Sequence, residues 1–173
     1  MAEGMEGAVE FVKADACASG LPSARADFVW GEDAWCYVED KPRLIAEAAR
    51  LARPGGTIAF TDWIEGAAGL GDEEARRYLK FMKFPNVLNQ AEYCGLLARN
   101  GCKVAVAEDP GRFAPYVDLY LNMLGMQLKY DALKIIGFDA ALMEALAKEM
   151  AFMRELAHAG KIAQGLFVAR KAE

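Results

Sequence analysis

Two short acidic stretches, Gly31-Glu32-Asp33 and Asp62-Trp63, each follow a run of mostly apolar residues, and the aromatic pair Trp35 and Tyr37 stands just beyond the first. The carboxyl ends of parallel strands are where α/β proteins gather their chemistry. Aromatic faces there are suited to holding a cationic group. Other chemistries are poorly supplied. Cys17, Cys36, Cys94 and Cys102 show no CxxC spacing, and His158 is the single histidine. A zinc site needs a denser set of ligands, and a Cys–His nucleophile pair would have to be assembled from distant positions. The cysteines therefore read as small core or surface residues, and no metal is expected.

The acidic stretches are positioned by a strand–helix–strand unit, Ala26 to Trp63. Ala26 to Trp30 is apolar apart from Asp27, and Thr57 to Asp62 is again mostly apolar, as strands buried on both faces should be. Between them Asp40 is a good N-cap, Pro42 suits a first turn, and Pro54-Gly55-Gly56 stops the helix. Leu44, Ile45, Ala48 and Leu51 fall at helical spacing, with Lys41, Arg43, Glu47 and Arg50 opposite. The whole reads as a right-handed βαβ unit.

A chain of 173 residues is expected to form one domain with a real core. Its formal charge of −5, with no basic stripe, argues against nucleic-acid binding. No signal peptide or long apolar span is legible, so no membrane partner is expected and a cytoplasmic location is.

Val9 to Ala14 alternates well enough for a first strand running into Asp15-Ala16, and residues 17–25 form a loop. The glycines of 65–71 have the wrong spacing for a phosphate cradle and read as a flexible active-site loop. Helices follow at Asp72–Met82 and Gln90–Arg99, then a strand at Cys102–Ala107. Residues 113–137 are rich in Tyr, Leu and Met, and a long helix spans about Asp139–Ala159 with Leu142, Leu146, Met150 and Met153 on one side. Ile162–Ala169 is the last strand. A Met- and aromatic-rich helical stretch is more often core than a ligand box.

The segments V-E-F-V-K-A-D-A at 9–16, L-P at 21–22, D-F-V-W-G-E-D-A at 27–34, L-A-R-P-G-G-T-I-A-F-T-D-W at 51–63 and K-I-A-Q-G-L-F-V-A-R-K at 161–171 resemble the class I S-adenosylmethionine-dependent methyltransferases. The similarity is to the small-molecule N-methylating kind that includes the sarcosine and dimethylglycine enzymes. It implies an α/β, Rossmann-like fold with a mostly parallel sheet, helices on both faces, and a helical cap at 113–159 inserted before the last strand. It also implies S-adenosylmethionine as cofactor, with Asp15 and Ala16 at the adenine and Trp30 and Gly31 beside the methionine end. Glu32, Asp33, Trp35, Tyr37 and Trp63 would line the side of a small-molecule acceptor. Methyl transfer to an amine needs alignment more than an acid or base, so no catalytic acid or base is named.

Members of the family open with a strand, a glycine-rich turn, a helix and a strand ending in a ribose-binding acid. Gly4 and Gly7 follow no strand and do not match that turn. The expectation is a truncated single domain over 1–173. It is either an enzyme whose cofactor half lies elsewhere or a non-catalytic ligand-binding or assembly module. Without the two strands that separate Val9–Ala14 from Asp27–Trp30 in that family, an apolar strand edge is left open, and a homodimer is expected.

Overall fold

The computed structural model describes residues 7–126 and 129–173. Four strands, β1 (Ala26–Glu32), β2 (Ala52–Glu65), β3 (Cys102–Glu108) and β4 (Ile162–Lys171), form one sheet in the order β1-β2-β4-β3. The helices are α1 (Lys41–Leu51), α2 (Asp72–Met82), α3 (Gln90–Arg99), α4 (Phe113–Met126), α5 (Lys129–Ile135) and α6 (Ala140–His158). Strand β1 pairs parallel to β2, and β4 runs antiparallel to both β2 and β3. Three of the four strands thus share one direction, and the reversed β4 between two of them makes the sheet mixed.

Local chemistry sets the helix limits. The Asp40 side chain accepts the Arg43 N–H (2.9 Å) with Pro42 in the first turn of α1. Asn89 and Glu92 cap each other reciprocally at the start of α3, at 2.8 and 2.9 Å. Asp139 accepts from Leu142 N at the start of α6. Strand parity then assigns the layers. Ile58, Phe60 and Ile64 face one side of the sheet and pack with Leu44, Ile45 and Ala48 of α1 and Tyr93, Leu96 and Leu97 of α3. Trp63 and Ile162 face the other side, where Tyr78 of α2, Val117 of α4 and Met153 and Leu156 of α6 build a second cluster. Helices therefore lie on both faces, those of the second face gathered over the carboxyl end of β2.

The expected strand at Val9–Ala14 does not form. The segment has no ladder partner among the described residues, and Phe11 is 94% exposed. Alternation marks a segment able to pair, but a strand exists only against a neighbour. The nearest regular feature is a single bridge between Asp15 and Ala18. Strand β1, expected to be buried on both faces, is covered on one only. Val29 packs against the α1–α3 core, whereas Phe28 (52% exposed) and Trp30 (56%) stack on each other at 6.1 Å on the opposite face.

The loop before β1 is tied down along α1. Glu47 accepts the Ser19 N–H (2.9 Å) and the Ser19 hydroxyl, and pairs with Arg50 at 2.7 Å. Hydrogen bonding from Arg50, and then from Ser19, holds the Glu47 carboxyl down from its ordinary 4.5 to about 2. A folded pKa below the unfolded value contributes stability above about pH 4.5 and loses it as pH falls toward 2. Glu47→Gln is therefore expected to cost about 1–3 kcal/mol at pH 7. Its unfolding free energy should also fall less steeply than that of the parent between pH 4.5 and 2, as checked by urea titration across that range; parallel pH profiles would refute it.

Candidate functional site

A cavity of about 530 Å³ opens at the carboxyl end of β2. Its floor is Asp33, just past β1, with Trp63 of β2 and Gln164 of β4. Its walls are Phe81 and Met82 of α2, Phe113, Tyr116, Val117 and Tyr120 of α4, and Met150 and Met153 of α6. Phe113, Tyr116 or Val117, and Tyr120 recur at the i, i+3/i+4, i+7 spacing that puts side chains on one helical face, and Met150 and Met153 stand one turn apart. The Trp63 and Phe113 rings meet edge to face at 4.8 Å (82°), and Trp63 meets Phe84 at 5.7 Å (74°).

Asp33 is held by its backbone. Its N–H donates to the Thr61 carbonyl at 2.9 Å, and its φ is +45°, a left-handed conformation that aspartate tolerates better than most residues. Gln164 Nε2 donates to Asp33 Oδ2 at 2.6 Å. Asp33 Oδ1 and Thr61 Oγ1 are buried and find no hydrogen-bond partner. A buried oxygen without a donor is costly unless something else supplies one. Non-glycine residues at positive φ cluster at binding sites for the same reason: the surrounding structure holds them there.

Behind the cavity is a buried polar network. Asp62, fully buried, accepts the Cys36 N–H (2.8 Å) and the Tyr93 hydroxyl. Lys41, also buried, donates to the Val38 carbonyl and to Asn86 Oδ1 at 2.9 Å. Burial pushes the Asp62 carboxyl up and the Lys41 ammonium down. Burial, and then the charge of Asp62, raises the Cys36 thiol to about 12 and the Tyr93 hydroxyl further still. A thiol so raised is not an available nucleophile. Among the described residues, no group of three or more His, Cys, Asp or Glu is placed to hold a metal ion.

The sequence-predicted residues are divided by the fold. Asp33 and Trp63 line the cavity together. Glu32 is exposed at the end of β1. Tyr37 is 59% exposed and touches Phe84 edge to face at 5.1 Å, one ring removed from Trp63. Trp35 lies apart from the cavity, 8% exposed and stacked on Phe60 at 4.2 Å in the α1–α3 core. Its indole also fills the space beside Gly31, where a Cβ would meet Trp35 Nε1 at 2.4 Å. Asp15 forms a turn, accepting the Cys17 N–H on Oδ1 at 2.8 Å. Cys17 Sγ reaches the Asp40 carbonyl at 3.6 Å. That contact sets the Asp15 turn, with Ala16 exposed in it, beside the start of α1, at the same end of the sheet as Gly31–Asp33. The residues of α4 and α6, together with Gln164, escaped the sequence reading, although the α4 spacing carried the signal.

Residues 2–60 match the family model described as "Methyltransferase domain". The chain is 43% identical over 42 residues, 24% of its own length and 15% of the relative's, to dimethylglycine N-methyltransferase of Parasynechococcus marenigrum. It is 32% identical over 108 residues (61% of this chain, 39% of the relative) to 27-O-demethylrifamycin SV methyltransferase of Amycolatopsis mediterranei. Among solved structures, that of a protein assigned as a sarcosine dimethylglycine methyltransferase from Galdieria sulphuraria superposes with a TM-score of 0.77 at 18% identity, over 92% of this chain and 58% of that one. A phosphoethanolamine N-methyltransferase of Haemonchus contortus, solved with S-adenosyl-L-methionine, superposes at 0.72 and 17% identity, over 92% and 36%. The chain spans less than two thirds of each of these proteins. Residues 2–60 thus resemble a methyltransferase domain, and the described residues share the α/β, Rossmann-like fold of S-adenosylmethionine-dependent methyltransferases.

Proposed function

We propose that this chain carries the acceptor side of an S-adenosylmethionine-dependent methyltransferase acting on a small molecule. The acceptor sits in the cavity under α4 and α6, the cap segment 113–159. The observation that carries this reading is the cavity itself: it opens at the carboxyl end of β2, is walled by aromatic and methionine side chains, and has the Asp33 carboxylate in its floor. A site of this make-up, mostly apolar with a few convergent polar groups, binds small organic ligands.

On this reading the Asp15 turn and Ala16 meet the adenine, and Trp30 and Gly31 flank the methionine end of the cofactor. The exposure of Asp15 and of the Trp30 face fits such contacts. The cofactor, when bound, supplies an electrophilic methyl group on a sulfonium. The chain's own part is to hold the acceptor against Trp63 and Asp33 and to exclude water with the α4 and α6 side chains, because transfer depends on alignment. No acid or base is assigned. No described helix is long and apolar enough to cross a membrane, and a cytoplasmic setting belongs to the same proposal.

A second reading has its own observation. Strand β1 ends the sheet with an open edge, Phe28 and Trp30 on it expose their rings, and Val9, Phe11 and Val12 are exposed as well. Such an edge invites pairing with another chain. It favours a homodimer across β1, with the chain serving as a ligand-binding or assembly module and the ribose partners of the cofactor supplied from outside residues 1–173.

Calorimetric titration with S-adenosylhomocysteine, with light scattering on the same sample, tests both. The expectation is saturable binding with a Kd between roughly 10 µM and 1 mM, weakened by Trp30→Ala, and a particle of twice the chain mass. No saturable signal at about 1 mM, worth only about 4 kcal/mol, would remove the cofactor from the first reading. A folded monomer would remove the second.

A further inference from the structure

Resting on the acceptor site just proposed, we infer that the cavity takes a molecule whose single charged group is a cationic nitrogen on an apolar body. An acceptor that bears a carboxylate or phosphate beside its nitrogen does not fit.

Charge is the first argument. Asp33 is the one charged residue among the described residues that line the cavity, and no lysine or arginine joins it there. Three basic side chains near the cavity are held in ion pairs: Arg77 with Glu149 at 2.9 Å, Arg154 with Asp118 at 2.6 Å, and Lys161 with Glu74 at 2.6 Å. Arg77 also lies flat over Phe152, 3.9 Å from its centroid. An anionic group entering the cavity would lose its water and meet the Asp33 carboxylate and ring faces, which repel it, with no basic side chain in the lining to pair with it. Dimethylglycine and phosphoethanolamine, the acceptors named for two of the similar proteins, each carry such a group.

Geometry is the second. Gln164 Nε2 donates to Oδ2 of Asp33 and fixes the carboxylate in the cavity floor. A protonated or substituted amine in the cavity brings that carboxylate the opposite charge and an N–H donor at once. The rings of Trp63, Phe113, Tyr116 and Tyr120 line the same cavity, and aromatic faces attract an alkylated nitrogen. A cavity of about 530 Å³ also has room for an apolar body well beyond a small amino acid.

The reaction follows the same logic. With S-adenosylmethionine bound, the ammonium would first lose its proton to solvent, and the lone pair of the freed nitrogen would attack the sulfonium methyl, the N–C bond forming as the C–S bond breaks with its electron pair returning to sulfur. The positive charge passes from sulfur to nitrogen. Asp33 is placed to stabilise the charge that grows on nitrogen, and Gln164 acts as a positioning residue that holds the carboxylate.

The test is equilibrium binding by calorimetry with three probes that share one phenyl ring: N-methylphenethylamine (cation), 3-phenylpropionate (anion) and N-methylphenylalanine (zwitterion). The cation is expected to bind at least roughly tenfold more tightly than the other two. Asp33→Asn, a residue that also tolerates positive φ, should erase that preference and leave the melting temperature unchanged. Tyr37→Ala, outside the cavity, should leave it intact. Equal or tighter binding of the anion or zwitterion overturns the inference. So does a preference that survives Asp33→Asn, or the failure of all three probes to bind at 10 mM, a concentration set by the experiment at about the 3 kcal/mol limit of detection. If the Asn variant does not fold, the wild-type probe series decides alone. No cofactor is present in this assay. A cation preference without S-adenosylhomocysteine binding would therefore sink the methyltransferase reading and spare the pocket, and the reverse pattern would do the opposite.

Discussion

Asp62→Ala is expected to lower the unfolding free energy by about 3–5 kcal/mol, the cost of removing one partner from a buried charged network. The carboxylate is fully buried at the end of β2. Its loss strands the Cys36 N–H and the Tyr93 hydroxyl, both of which donate to it. It also leaves the buried Lys41 ammonium without the charge that favours its ionised form. Asp62→Asn keeps an acceptor for Cys36 and is expected to cost roughly half as much, about 1–3 kcal/mol. Guanidinium unfolding followed by fluorescence measures both. A loss below about 1 kcal/mol for the alanine variant would mean that water re-satisfies the network and that Asp62 does not organise the loop. The functional consequence is local. The Asp62–Cys36 bond fixes the 3-10 turn Trp35–Tyr37 that follows Asp33, so the variant should loosen the carboxylate of the cavity floor as well as the fold.

Phe60→Ala is expected to cost about 3–5 kcal/mol by leaving a cavity at the centre of the sheet. Phe60 is fully buried and lies between three aromatic partners: Trp35 at 4.2 Å, Phe167 at 4.6 Å and Tyr93 at 5.2 Å. It joins β1's following turn, β2, β4 and α3 in one stack, and those elements cannot close over the missing ring without moving the sheet. In a domain of this size the change corresponds to a fall in melting temperature of about 10 °C, as seen by calorimetry. Phe60→Leu, which keeps most of the volume, should cost less than about 1.5 kcal/mol. Comparable losses for the two variants would point to the ring stacking itself rather than to volume. Trp35→Ala should resemble Phe60→Ala, because Trp35 is a core residue of the same stack.

The elements were legible because their limits rest on short-range chemistry. Asp40 with Pro42, Asn89 with Glu92, and Asp139 each satisfy backbone N–H groups within three residues of themselves. The apolar runs at 26–30, 57–62 and 162–169 carry their own period, and the Gly31-Glu32-Asp33 elbow marks the end of β1, whereas β2 runs past Asp62-Trp63 to Glu65. That was enough to set the βαβ unit, the α/β class and the end of the sheet at which the cavity opens.

Tertiary contacts alone decided which residues meet there. Trp63 reaches the cavity because strand parity puts it on the face opposite Ile58, Phe60 and Ile64. Trp35 turns into the core because Cys36 N–H is captured by Asp62, a residue 26 positions away, and no local period encodes the direction of that turn. Val9–Ala14 alternates like a strand yet stays unpaired among the described residues. Pairing is a property of two segments, and one segment's pattern does not create its neighbour.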